Sequence, residues 1–158
     1  MSKRGFENCC LCRTIGGRSA CGAHYMNTQG ALSTAKPVVV VVDDDPAVRN
    51  SLRFSLEIEG FAVRALAGGA ELLEDIAHAA VACLVLEEQM PGMSGLDAIA
   101  QLRERNISVP TILMASRLTP AQRERAKRAG VCVVEKPLLD NMLLERIRGA
   151  LSPAIVAG

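Results

Sequence analysis

Five consecutive valines, Val38 to Val42, run into three aspartates, Asp43-Asp44-Asp45. An unbroken β-branched run with no polar residue at alternate positions describes a strand covered on both faces. A sheet with one wet face would alternate, so the run points to a parallel sheet with helices packed on either side. Asp45 before Pro46 is a helix start, an N-cap acceptor followed by proline at the first helical position. Val48, Leu52 and Leu56 then recur at helical spacing as far as Gly60.

The strand-and-helix unit repeats. Phe61 to Ala65 reads as the second strand, and Gly69 to His78 as a helix with Leu72, Leu73 and Ile76 inward. Val81 to Leu86 is the third strand, followed by a helix carrying Leu96, Ile99, Ala100 and Leu102 that ends near Asn106. Thr111 to Met114 is the fourth strand; Thr119-Pro120 repeats the cap-plus-proline start, and Gly130 closes that helix. Val131 to Val134 and Leu138 to Leu151 complete the series. Five strands alternating with five helices predict an α/β fold, a doubly wound parallel sheet with right-handed crossovers. Ligands of such sheets sit at the carboxyl ends of the strands.

Those ends hold Asp43-Asp44-Asp45, Glu87, Ala115-Ser116 and Glu135-Lys136-Pro137. Clustered carboxylates raise one another's pKa values unless a cation or the lysine compensates. Oxygen ligands of this kind suit Mg²⁺, usually held by one or two carboxylates with water and phosphate.

The aspartates after the valine run, Met90-Pro91-Gly92-Met93-Ser94-Gly95 after the third strand and Glu135-Lys136-Pro137 after the fifth resemble the receiver domain of bacterial two-component response regulators. The resemblance spans about Pro37 to Leu151. It implies a flavodoxin-like (βα)5 sheet with strand order 2-1-3-4-5, and a phosphoryl group passed from a histidine kinase to an aspartate with Mg²⁺. On that pattern Asp43 and Asp44 match the metal-binding acidic pair, and Gln89 the residue whose backbone carbonyl completes the metal site. Lys136 matches the lysine that contacts the phosphoryl group, and Pro137 the proline, often cis, that follows it.

Three positions depart from the pattern. Glu87 stands at the phosphoacceptor's place, and its extra methylene moves the carboxylate by roughly 1.3 Å, enough to cost about a hundredfold in rate. Glu88 does not substitute, because one residue along a strand end points to the opposite face. Ala115 stands where receivers have a Thr or Ser hydroxyl and has no donor; Ser116 is turned elsewhere by the same alternation. Val133, three residues before Lys136, stands where receivers have a rotating Tyr or Phe. Acceptor, hydroxyl relay and aromatic switch have all changed while the acidic pair and the lysine remain. Glu87 either imitates an aspartyl phosphate, with one charge where that group carries nearly two, or leaves the site inert; Ala115 favours the second.

No apolar run approaches the roughly 20 residues that cross a bilayer, and no apolar stretch follows Lys3 and Arg4, so the expected place is the cytoplasm. Five basic residues before Pro37 face only Glu7, leaving a net charge of −3 on the remainder, which gives no case for nucleic-acid binding by the core. Cys83 and Cys132 read as small core residues. Arg117, Arg123, Arg125, Lys127 and Arg128 read as a solvated helix face or as an interaction surface, and Phe54 as an exposed contact residue on the first helix.

Residues 1–36 read as an extension to the domain at 37–151, with 152–158 as a short tail. The extension reads as a disordered segment, or as an upstream start assignment ahead of Met26; the alternative is a Zn²⁺ site, since Cys9, Cys12, Cys21 and His24 form a chemically sound set with short internal spacing. The expected function is that of an atypical single-domain response regulator, not an enzyme, acting by phosphorylation-independent binding. Its expected partners are a histidine kinase, a phosphotransfer protein or another signalling protein, or a second copy through the fourth and fifth helices; no nucleic acid and no membrane are expected. Residual Mg²⁺-dependent phosphotransfer and metal or thiol sensing stand as alternatives.

Overall fold

The computed structural model describes residues 35–78, 80–138 and 141–152. In chain order the elements are β1 (Val38–Val42), α1 (Pro46–Ile58), β2 (Ala62–Leu66), α2 (Gly69–Asp75) and, after a 3-10 turn, β3 (Cys83–Glu87). Then come α3 (Gly95–Glu104), β4 (Thr111–Ala115), α4 (Pro120–Arg128), β5 (Cys132–Glu135) and α5 (Met142–Leu151). The strands form one parallel sheet, as the apolar runs lead one to expect, in the order β2-β1-β3-β4-β5 that the resemblance implies.

The period-2 alternation of each strand divides the core in two. Val40, Val42, Leu84, Leu86 and Leu113 pack under α2, α3 and α4. Val39, Val41, Cys83, Val85, Ile112 and Met114 pack under α1 and α5. Val39 to Val42 are fully buried, and each such side chain contributes about 1.5–3 kcal/mol of transfer free energy. Cys83 belongs to this core, where burial pushes its thiol up to about 12. No helix among the described residues is long and apolar enough to cross a membrane.

Helix ends explain where strands begin. After α1, Gly60 takes φ +94°, its N–H donates to Glu57 O, and the Phe61 N–H donates to Leu56 O. That pair of bonds is a Schellman closure, so Phe61 belongs to the helix end and β2 starts one residue later than the apolar run does. Gly130 and Val131 close α4 in the same way, through Lys127 O and Ala126 O, and β5 starts at Cys132. At α3 the site dictates the sequence: a Cβ on Gly95 would lie 2.6 Å from the Glu87 carbonyl oxygen. Glycine there lets α3 start directly against the end of β3.

Candidate functional site at the carboxyl edge of the sheet

Asp43 extends the row of Val39 and Val41, Glu87 the row of Cys83 and Val85, and Lys136 follows Val134, so all three side chains leave the sheet on the α1/α5 side. Val42 pairs with Leu86, which sets Asp43 and Glu87 level at the next step. Lys136 Nζ donates to Asp43 Oδ2 at 3.1 Å and makes an ion pair with Glu87 Oε2. The remaining carboxylate oxygens are held by the backbone: Asp43 Oδ1 accepts from Asp45 N at 2.9 Å, and Glu87 Oε1 from Gln89 N at 3.0 Å. Asp43 and Glu87 are 1% and 4% exposed. Burial works to lower the Lys136 pKa, but the Glu87 and Asp43 carboxylates outweigh it and the ammonium is held above its ordinary range. Of the sequence-derived site residues, Asp43, Glu87 and Lys136 therefore converge.

Asp44 does not join them; it is exposed in the turn before α1, as is the Gln89 side chain after β3. Among the described residues no three His, Cys, Asp or Glu side chains come together to hold a metal ion. Mg²⁺ demands a near-octahedral oxygen shell, whereas here an ammonium stands between the two buried carboxylates nearest such a position. In this arrangement the Lys136 ammonium, rather than a metal ion, neutralises the two buried carboxylates. Cys9, Cys12, Cys21 and His24 lie outside the described residues.

Ala115 ends β4 fully buried, and its carbonyl oxygen accepts from Lys136 N at 2.9 Å. The backbone of the relay position thus still braces the lysine, while its methyl group offers nothing to an anion. Ser116, exposed and one step out of phase, does not replace it. Val133 packs half-buried against the α2–α4 core, an apolar filler with no polar tip to move. The Lys136–Pro137 peptide is cis, as the resemblance implies.

The residue whose role the sequence did not disclose is Glu88. Alternation does turn it away from Lys136, as expected, but into the protein: it is 1% exposed on the α3/α4 side. Its Oε2 accepts from Leu96 N in the first turn of α3 at 2.8 Å, and its Oε1 accepts from Gln122 Nε2 on α4 at 3.0 Å. Burial raises its pKa, and the Leu96 amide and the Gln122 side chain offset only part of that rise. Gln122 also closes the capping box of α4, accepting from Thr119 N while its own N–H donates to Thr119 Oγ1. The available signal was Glu88's place in the inward row of Leu84 and Leu86, where a carboxylate must find partners.

The cations of α4 are mostly committed within the molecule. Arg123 pairs with Glu135, Arg125 with Asp97 at 2.8 Å, and Arg128 with Glu124. Arg117 and Lys127 form no ion pair among the described residues. On the other side of the molecule a groove of about 740 Å³ descends from Lys136 and Pro137 between α1 and α5 to Ile58 and Glu59. Phe54 and Ile58 on α1 are each 67% exposed, which agrees with the outward Phe54 expected from sequence.

Comparison with known proteins agrees with this geometry. Residues 39–148 match the response regulator receiver domain family. The response regulator MprA of Mycobacterium leprae is 37% identical over 114 residues, covering 72% of this chain and 50% of that protein. The chain thus spans about half the length of the curated relatives it matches. Among solved structures, the response regulator StyR is 36% identical with a TM-score of 0.69, covering 74% of this chain and 60% of that one. The chemotaxis protein CheY4 of Vibrio cholerae, 23% identical, shares the fold with a TM-score of 0.69 over 74% of this chain and all of its own. The order β2-β1-β3-β4-β5, the carboxylate–lysine cluster at the carboxyl edge and the family match converge: this chain belongs to the response regulator receiver domains.

Proposed function

We propose that this chain is an atypical receiver that serves two-component phosphorelay signalling by binding proteins independently of phosphorylation, with no catalytic turnover of its own. The observation that carries the reading is the Lys136 ammonium paired to both Asp43 and Glu87. A glutamate so clamped is longer than the family's acceptor, and its oxygens are engaged by Gln89 N and Lys136. In-line attack on an incoming phosphoryl group requires withdrawal from both and reacting atoms within about 3–3.5 Å. Even a transferred group would meet Ala115 and Val133 instead of a hydroxyl and an aromatic ring. Mg²⁺ has no step to perform in this mode.

Its partners are a histidine kinase, a phosphotransfer protein or another cytoplasmic signalling protein, or a second copy across α4 and α5. Arg117, Lys127 and the half-exposed Met142 on α5 supply the contact chemistry on that face. The exposed Phe54 and Ile58 beside the α1/α5 groove offer apolar contact to a kinase or phosphotransfer protein.

Intact mass of the full chain after incubation with acetyl phosphate and Mg²⁺ tests the reading. No phosphoryl addition is expected. A stable gain of one phosphoryl group on Glu87 overturns it.

A further inference from the structure

Glu88 and Gln122 lie 34 residues apart and meet at the N-terminal end of α4. A buried carboxylate bonded to neutral donors alone is uncommon, because leaving its charge under-satisfied is costly. Here both of its oxygens are used, one by the first turn of α3 and one by α4. The charged groups facing it are Asp97 on α3 and Arg125 on α4, themselves paired across the two helices. The backbone on either side of Glu88 is fixed as well: its N–H donates to Met114 O at 2.9 Å, and its carbonyl accepts from Gly95 N at 3.0 Å.

We infer that Glu88 is a positioning residue that ties the acceptor strand directly to α4, setting the resting place of the α4 surface without the hydroxyl and aromatic relay this chain lacks. The inference rests on the reading of an uncoupled acceptor site and deepens it. In the pattern this chain resembles, a hydroxyl at position 115 and an aromatic ring at 133 relay the state of the acceptor. With Ala115 and Val133 that relay carries no hydrogen bond, and among the described residues the side-chain hydrogen bond from the end of β3 to α4 is the one between Glu88 and Gln122. The link leaves from the face opposite Glu87, so the clamped carboxylate and the one that holds α4 are separate groups.

Polarity makes the link testable without emptying the site. Glu88→Gln keeps an oxygen for Leu96 N but turns an amide donor toward the Gln122 amide donor. Gln122→Glu keeps an acceptor for the α4 capping box but sets carboxylate against carboxylate. Together the two changes restore one donor and one acceptor with the direction reversed. Amide hydrogen exchange on the full chain is the readout, at Arg123 and Glu124 in α4 and at Val40 and Leu84 in the sheet.

Each single variant is expected to speed exchange at the α4 amides about tenfold relative to the sheet amides. The double variant is expected to return them to within about threefold of the native chain. Equal loss of protection in sheet and helix, no change in α4, or a double variant as exposed as both singles combined overturns the inference. Phosphoryl labelling of the native chain would undo the proposed function and leave this exchange pattern untouched, so the two can fail separately.

Discussion

Glu87 and Glu88 are the same side chain one residue apart, and the fold treats them oppositely. Glu87 leaves β3 on the α1/α5 face and meets a lysine, so charge answers charge. Glu88 leaves on the α3/α4 face and meets an amide N–H and a side-chain amide, so dipoles answer charge. A single step along a strand therefore separates a site from a structural joint. The lesson extends to the whole carboxyl edge: which helices cover a strand face decides what an acid at its end does.

The largest effect is expected from breaking the Glu87 side. Lys136→Met leaves Asp43 and Glu87 buried with no cation between them. Losing one partner of a fully buried pair costs about 3–5 kcal/mol; since the lysine side chain is 23% exposed, a loss of about 2–3 kcal/mol is expected, read as a lower urea midpoint at neutral pH. A midpoint unchanged by Lys136→Met would mean that the lysine does not compensate these acids. The Glu88 side predicts a different signature, the local loosening of α4 described above.

The smallest effect sharpens the contrast. Asp97 and Arg125 also join α3 to α4, but in solvent, where ion pairs contribute about 0.2–1 kcal/mol. Asp97→Asn is expected to lower stability by about 0.5 kcal/mol at neutral pH and to leave α4 exchange nearly native. Hydrogen bonds from Arg125 first, then Ser94, hold the Asp97 carboxyl below the ordinary aspartate range. A group whose folded pKa is depressed stabilises above its unfolded pKa and loses that contribution as pH falls through the folded one. The gap between native and Asp97→Asn stability should therefore close on acidification below about pH 4. A gap that widens in acid would reverse the sign and remove Asp97 from the helix-joining set.

Much of the fold was legible because its signals are local. Val38 to Val42 announces a doubly covered strand, and Asp45-Pro46 and Thr119-Pro120 place two helix starts at the observed residues. The departures are also local in cause. Phe61 and Val131 are apolar enough to read as strand, but their N–H groups close the preceding helices, which apolar patterning does not register. Within the site, alternation was enough to align Asp43, Glu87 and Lys136, since each continues a buried row. It did not disclose that Asp44 would stand outside, because beyond a strand's last residue the turn, and no longer the period of two, sets direction. The link from Glu88 to Gln122 was hidden for another reason. It depends on how close α3 and α4 sit to the sheet, and for α3 that closeness needs Gly95 against the Glu87 carbonyl, a contact no spacing rule encodes.

The most direct test of an acceptor site uncoupled from α4 is an amide NMR spectrum of the full chain titrated with Mg²⁺ and beryllofluoride, a phosphoryl mimic that requires an open carboxylate. The account predicts that the amides of Glu87, Ala115, Gln122 and Lys136 stay where they are in the native chain. Saturable shifts at Glu87 that spread to Gln122 would contradict it, showing an acceptor that opens and a signal that reaches α4.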